Sequence, residues 1–408
     1  MDCRFCGSPL THVFVDLGMA PPSNSFLSAA QLEQEEQYYP LKIMVCDKCF
    51  LVQTDEFKKA EEIFSSEYVY YSSYSTSWLA HAKRYTEMMV ERFGFNQKSS
   101  VIEIASNDGY LLQYFKEKEI PVLGIEPTLG TANAARQKGI ESINEFFGEA
   151  LACKMTGQNQ YADLLIGNNV LAHVPDINDF VSGMKIILRK TGVITMEFPH
   201  LLELIRQVQF DTIYHEHFSY LSFTTVRAIF NSHGLELFDV EEIPTHGGSL
   251  RIFAKHKEDS SKEISKNVDM LLEKEKSNGL TTISAYGGFQ QKVEIIKRDF
   301  LNFLTQQMQS GKTVAAYGAA AKGNTLLNYC EVKNDLIKFV VDASPFKQGK
   351  YLPGSHIPVV NEQELMTSRP DFVIILPWNI RDEITKQLNY VRTWNCKFII
   401  AIPELQII

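Results

Sequence analysis

Apolar and polar positions along this chain switch between two periods. Short apolar runs at 100–104, 122–125, 164–167, 193–197 and 250–255 read as buried strands. Between them, positions 78–93 and 178–188 repeat with the period of a helix. A βαβα order over residues 71–256 predicts a doubly wound parallel sheet. The charged stretch 257–276 then breaks the pattern and reads as a linker entering a long polar helix that runs toward Gln307. Alternation resumes at 313–317, 338–342, 371–375 and 397–402, predicting a second, smaller α/β unit. Residues 1–70 differ from both, with turn residues, short strands, aromatics and the loop Pro21-Pro22-Ser23-Asn24-Ser25. The expected division is therefore 1–70, 71–256 and 257–408.

Composition narrows the class. At 408 residues the chain is long enough for two or three cores. With 45% hydrophobic and 22% charged residues it is globular rather than disordered. A formal net charge of −9 argues against a dedicated nucleic-acid partner. Apolar runs stop short of the roughly 18–20 residues of a membrane helix, so no membrane association is expected. The first residues lack a basic segment followed by an apolar one, so a cytoplasmic protein is expected, and the composition permits a monomer.

Four of the seven cysteines form two pairs, Cys3-x-x-Cys6 and Cys46-x-x-Cys49. Two such knuckles in tight turns can supply four thiolates to Zn2+. With neither an open position nor a weak ligand in the set, such a site is structural. A redox pair would open a helix after a strand, and neither pair does. Two accidental reduced turns are the bland alternative.

The segment Val101–Leu112 reads as strand, tight loop and helix start. Glu103, Ala105, Asn107, Asp108 and Gly109 lie in it, where small residues let a ligand approach the backbone. It lacks the GxGxxG dinucleotide spacing. Glu126-Pro127 closes the second strand, where a carboxylate can accept both ribose hydroxyls. Asn168 and Asn169 end a later strand on the crevice side of the sheet. Together these positions indicate an adenosine-ribose site, with a ligand-free Rossmann-like core as the alternative. The polar turn with His173-Val174-Pro175-Asp176 resembles class I S-adenosylmethionine-dependent methyltransferases. That resemblance makes Phe146 a candidate for enclosing adenine, although core packing would also account for it.

The densest chemistry is Asp211-Thr212-Ile213-Tyr214-His215-Glu216-His217-Phe218-Ser219-Tyr220. Three readings are open. His215 and His217 could chelate a metal, although no third ligand is evident. The segment could be aromatic packing with polar tips. Or it is an acid–base set: an imidazole near neutral pKa with a carboxylate and phenols beside it.

The cysteine pairs, Glu126-Pro127, Tyr214-x-Glu216-His217, His246-Gly247-Gly248-Ser249-Leu250-Arg251 and a C-terminal Rossmann-like unit occur together and in order. In this combination the chain resembles, over essentially its whole length, the three-domain sugar C-methyltransferases of deoxysugar biosynthesis. The resemblance implies S-adenosylmethionine as cofactor, structural zinc, and methylation at C3 of a nucleotide-diphosphate 4-keto-6-deoxysugar, thymidine-linked by expectation. It implies His217 as general base, with Tyr214, Glu216, His173 and Tyr68 as active-site companions; Tyr70 competes with Tyr68. The oxyanion formed at O4 would need a donor, either a tyrosine or His173.

In the last unit, Val314–Thr325 is another strand, glycine turn and helix start. Tyr317, Gly318 and Lys322 suit a diphosphate. Asp342 suits a sugar hydroxyl or base, Trp378 a stacking surface, and His246 a further substrate contact. A purely structural Rossmann-like unit is the alternative. Two rival functions stand beside the methyltransferase: a nicotinamide-dependent oxidoreductase built on 317–323, disfavoured by its glycine spacing, and a zinc-ribbon scaffold.

Overall fold

The computed structural model describes residues 1–57 and 71–408. Three sheets organise them. The first is antiparallel and contains β1 (His12–Ala20), β2 (Tyr39–Val45) and β3 (Val52–Thr54). Its last strand comes from far along the chain: β9 (Ser219–Tyr220) pairs with β3, Val52 opposite Tyr220 and Gln53 opposite Ser219. The N-terminal unit is thus joined by backbone to the stretch that follows the histidine–tyrosine cluster.

The second sheet holds β4 (Val101–Ile104), β5 (Val122–Ile125), β6 (Ser142–Ile143), β7 (Ala162–Asn168), β8 (Leu188–Pro199), β10 (Leu235–Ile243) and β11 (Ser249–His256). Its order is β10-β11-β8-β7-β4-β5-β6. Pairings from β6 to β8 are parallel, and β11 runs antiparallel to both β8 and β10. This is the expected doubly wound architecture. Side chains alternate between two cores, as period 2 demands. Ile102, Ile104, Leu165 and Ile194 enter one; Val101, Leu164, Ile166 and Val193 enter the other, against Ala82, Tyr85 and Met89 of the helix Thr76–Phe93. Burial on both faces explains why these strands read as continuous apolar runs.

The third sheet holds β12 (Val314–Tyr317), β13 (Val340–Val341), β14 (Val359–Val360), β15 (Phe372–Ile375), β16 (Lys397–Ile400) and β17 (Gln406–Ile407), in the order β14-β13-β12-β15-β16-β17. It is parallel apart from β17. In an open sheet of this kind, ligands bind beyond the carboxyl ends where strand order reverses. That point lies between β4 and β7 in the second sheet and between β12 and β15 in the third.

The charged stretch departs from expectation. There are two helices, Lys266–Ser277 and Phe289–Gln309, rather than a linker and one long helix. Gly279 and Gly288, at φ of 83° and 81°, take left-handed conformations between them and break the run. Nor is the first helix a solvated connector. Val268 and Leu271 join the core beneath the second sheet. Glu275 is fully buried and accepts from the amides of Phe223 and Thr224, at 2.6 and 2.8 Å, and from His200 Nε2 at 2.7 Å. Among the described residues, no helix is long and apolar enough to cross a membrane.

Candidate active site

A cavity of about 1740 Å³ opens between the carboxyl ends of the second and third sheets, with the N-terminal unit's loop at Pro22–Leu27 along one wall. From the second sheet, the turn after β4 brings Ala105 and Asn107 to the wall, both at positive φ (56° and 49°). Gly109, at φ 74°, lies behind them: a Cβ there would meet Ile140 Cδ1 at 2.5 Å. Glu126 follows β5, lines the cavity, and accepts from the amides of Asn107 (2.9 Å) and Thr128 (2.8 Å), so one carboxylate ties two loops. Burial pushes its pKa up. Pro127 and Phe146 lie on the same wall. Asn168 and Asn169 face the cavity beyond β7. The amide of Asn168 is buried with neither polar atom bonded among the described residues, and Asn169 Nδ2 lies 3.2 Å from His246 Nε2.

Two residues of this first loop stand apart from the cavity wall. Glu103 is buried inside the sheet, where desolvation drives its pKa well above the usual carboxylate range. Asp108 pairs with Lys138 at 3.0 Å and with Ser73. It holds the loop's back.

The loop 211–218 crosses the cavity centre. His217 and His173 meet edge to face with ring centroids 4.6 Å apart, and Tyr214 lies over His217 at 4.0 Å. His217 Nδ1 is 2.9 Å from the Thr212 carbonyl, and His173 Nδ1 is 2.8 Å from the Glu216 carbonyl. A carbonyl only accepts, so both rings carry their proton on Nδ1 and leave Nε2 unprotonated when neutral. Burial holds His173 down to about 4. His217 is pushed well below the ordinary imidazole range, by burial first and then by His173. The Glu216 carboxylate accepts from Asn24 Nδ2 at 2.7 and 2.9 Å. His215 turns away, its Nε2 on the Pro40 carbonyl at 3.2 Å. The two histidines therefore do not converge as a chelating pair, and no metal set gathers with them among the described residues. Tyr68 and Tyr70 lie outside the described residues.

From the third sheet, Lys322 and Asp342 reach the cavity. Lys322 donates to Asn379 Oδ1 at 2.6 Å and lies 4.8 Å from the centre of the Trp378 ring; burial lowers its pKa. Asp342 accepts from the amides of Ala319 and Ser344, both at 2.8 Å. Three expected substrate contacts are not brought to the wall. The Tyr317 hydroxyl accepts from Gln387 Nε2 at 2.9 Å. Gly318 packs on Pro377. Trp378 is buried, with its indole N–H donating to Asp211 Oδ2 at 2.7 Å.

At the far end of the N-terminal unit the sulfurs of Cys3, Cys6, Cys46 and Cys49 lie within 4.8 Å of one another. Two of the S–S distances are 3.5 Å. A tetrahedron with Zn–S bonds of about 2.3 Å has edges of about 3.8 Å, so the set fits Zn2+ with little movement. Gln53 Nε2 and the Lys48 amide point at Cys3 and Cys46 sulfurs, at 3.2 and 3.4 Å, as donors to thiolates do.

Family models match the chain in three consecutive pieces: a zinc binding domain at residues 3–64, a methyltransferase domain at 78–240 and a C-methyltransferase C-terminal domain at 244–403. C-methyltransferase NovU of Streptomyces niveus is 32% identical over 407 residues, covering 100% of this chain and 96% of that protein. The chain belongs to the C-methyltransferase family. Solved structures overlap less. The PH0226 protein of Pyrococcus horikoshii OT3 is 15% identical, covering 49% of this chain and 100% of its own at a TM-score of 0.39. A methyltransferase from Anabaena variabilis ATCC 29413 is 13% identical, covering 50% and 99% at 0.37.

The cavity of this C-methyltransferase also gathers residues that pattern reading passed over. Asn24 sits in a loop read only as a Pro/Asn/Ser turn, yet it donates to the Glu216 carboxylate. Asp211, at the start of the central loop, accepts from the Trp378 indole, and Thr325 donates to the Ile213 carbonyl, all from buried positions. Lys347 lies near the centre of neither sheet motif but lines the cavity, 3.8 Å from Asp342 and 5.3 Å from the centre of the Phe26 ring. Asn24, Asp211 and Thr325 each meet a partner more than 100 positions away in the chain, and a local motif carries no trace of that.

Proposed function

We propose that this C-methyltransferase takes its methyl group from S-adenosylmethionine and methylates C3 of a nucleotide-diphosphate-linked 4-keto-6-deoxysugar. The observation that carries the reading is one cavity shared by two sheet edges, with a half-buried imidazole, its pKa lowered by desolvation, at its centre. A volume of about 1740 Å³ exceeds the usual 300–1,000 Å³ of a one-ligand pocket and suits two substrates side by side. The full-length likeness to C-methyltransferase NovU supports transfer to carbon.

Each edge serves one substrate. Glu126 would hold the ribose hydroxyls of the cofactor, with Ala105, Asn107 and Asn168 around it and Phe146 beside the adenine. The buried, unbonded amide of Asn168 is the kind of group a polar ligand satisfies. Lys322 and Lys347 would receive the diphosphate, and Asp342 a sugar hydroxyl or the base. S-adenosylmethionine, when bound, supplies an electrophilic methyl group on a sulfonium.

The chain's own part is proton chemistry. The ketone at C4 acidifies the C3 proton. His217, with Nδ1–H committed to Thr212, offers the lone pair of Nε2 as the base that removes it. Charge then develops on O4. Neutral His173 is a poor donor to that oxygen, because its one proton already goes to the Glu216 carbonyl. Stabilisation falls to the Tyr214 phenol and the positive charge of Lys322. The C3 carbon so activated would be the nucleophile toward that methyl group, with S-adenosylhomocysteine as the leaving group, and the proton held on His217 Nε2 would then pass to water. The four cysteines would hold structural zinc.

Mass spectrometry after incubation with methyl-labelled S-adenosylmethionine and a panel of thymidine-diphosphate keto-deoxysugars tests the reading. Label on a sugar carbon is the expected result. Label on a sugar oxygen, or none on any sugar although the cofactor binds by calorimetry, contradicts it.

A further inference from the structure

Thr212 is held locally, its amide and Oγ1 both donating to the Gln209 carbonyl, and the 214–218 half of the loop is tied further into the second unit. There the amide of Phe218 donates to the Ala172 carbonyl at 2.8 Å, and His173 donates to the carbonyl of Glu216. The other half, 210–213, carries the Thr212 carbonyl that fixes the His217 proton, and it is also held from the third unit. Phe210 packs on Tyr329, ring centroids 5.4 Å apart. Trp378 Nε1 donates to Asp211 Oδ2 at 2.7 Å, both side chains buried. Thr325 Oγ1 donates to the Ile213 carbonyl at 2.8 Å, again between buried groups. Thr325 and Tyr329 lie on one helix, Ala321–Tyr329, which also carries Lys322.

We infer that the third unit sets the position and tautomer of His217, with Thr325 and Trp378 as positioning residues that act through Ile213 and Asp211 on the Thr212 carbonyl. The inference rests on His217 being the base. Its physical basis is that these are long-range buried hydrogen bonds, one on each side of Thr212. Losing a buried partner leaves a carbonyl or carboxylate oxygen unsatisfied, and the turn can relieve this by shifting. A shift of the Thr212 carbonyl releases Nδ1–H and lets the proton move to Nε2, where it blocks proton abstraction. The Trp378 indole thus serves the base rather than a stacked ligand.

The test uses the full chain with Thr325→Val, which removes one donor at nearly constant shape, Trp378→Phe, which removes the indole N–H along with part of the ring, and Thr325→Ser, which keeps the hydroxyl. His217→Asn is the reference. For Val and Phe, kcat is expected to fall about 10- to 100-fold, as for other small misplacements of a reacting group. KM for the sugar nucleotide and calorimetric affinity for S-adenosylmethionine should stay within about twofold, and Ser should recover most of kcat. In ¹⁵N-histidine NMR, His217 should be the Nδ1–H tautomer in the parent and Thr325→Ser, and mixed in the other two. If His217→Asn is inactive while Val and Phe keep parental kcat and tautomer, the inference is overturned and the base reading stands. Equal loss of cofactor affinity and kcat in all three variants, Ser included, overturns it in favour of a merely structural contact. Retained activity in His217→Asn instead overturns the base reading itself.

Discussion

A histidine desolvated without a counter-ion is neutral at pH 7, and its remaining hydrogen bond decides which nitrogen is basic. His217 meets both conditions. Replacing it with Asn keeps a polar side chain but removes the group proposed as the base. kcat should fall about 10²- to 10⁴-fold while cofactor affinity, read by calorimetry, holds. The same burial has a cost in acid. His173 and His246 are held down to about 4 from an ordinary 6.5, in each case by desolvation first. The unfolded chain takes up these protons below pH 6.5 and the folded chain only near 4. Their contribution to stability is therefore complete above pH 6.5 and lost as the pH falls from there toward 4. The melting temperature should decline across that window, and variants with Asn at 173 or 246 should decline less; a flat profile would contradict neutral burial. At this scale the sequence was legible where chemistry is dense, as at 214–217. It was silent at Asn24 and Asp211, whose partners lie 192 and 167 positions away in the chain.

Elements were more legible than residues because burial on both faces leaves a strong apolar signature. β5 falls at its expected bounds, and β4, β12 and β15 differ by one residue from the runs that marked them. β10 was missed: its acidic positions, Glu236, Asp239, Glu241 and Glu242, mask the apolar run, and they are neutralised only in the fold, as where Asp239 meets Arg92 at 2.5 Å. The amphipathic helix Lys266–Ser277 was read as a linker for a similar reason, since a single apolar stripe is outweighed by its charges. Pairing of β3 with β9 links the cysteine cluster to the end of the 211–218 loop. Removing metal with a chelator should therefore lower the melting temperature and also kcat, and adding Zn2+ should restore both. Full activity in metal-free protein would contradict a structural site.

At the scale of the molecule, two open sheets point their carboxyl edges at one space, and the N-terminal loop closes its side. Both substrates must be present together for transfer within such a cavity, so initial-rate plots should intersect; parallel lines, the sign of a methylated enzyme intermediate, would contradict it. The order of units along the chain was readable from changes in periodicity. Their convergence was not, because the contacts that create it, such as Asn324 Nδ2 on the Ser23 carbonyl at 2.6 Å, join the two ends of the chain.

Proton removal at C3 is the step on which the whole account depends, and it can be watched apart from methylation. The protein is incubated in D2O with the thymidine-diphosphate keto-deoxysugar and S-adenosylhomocysteine in place of the methyl donor, and C3–H is followed by NMR. Exchange at C3 in the parent, lost in His217→Asn, is the predicted result. Exchange that persists in His217→Asn at the parental rate, or no exchange in a parent protein that methylates the same sugar at C3, would contradict it.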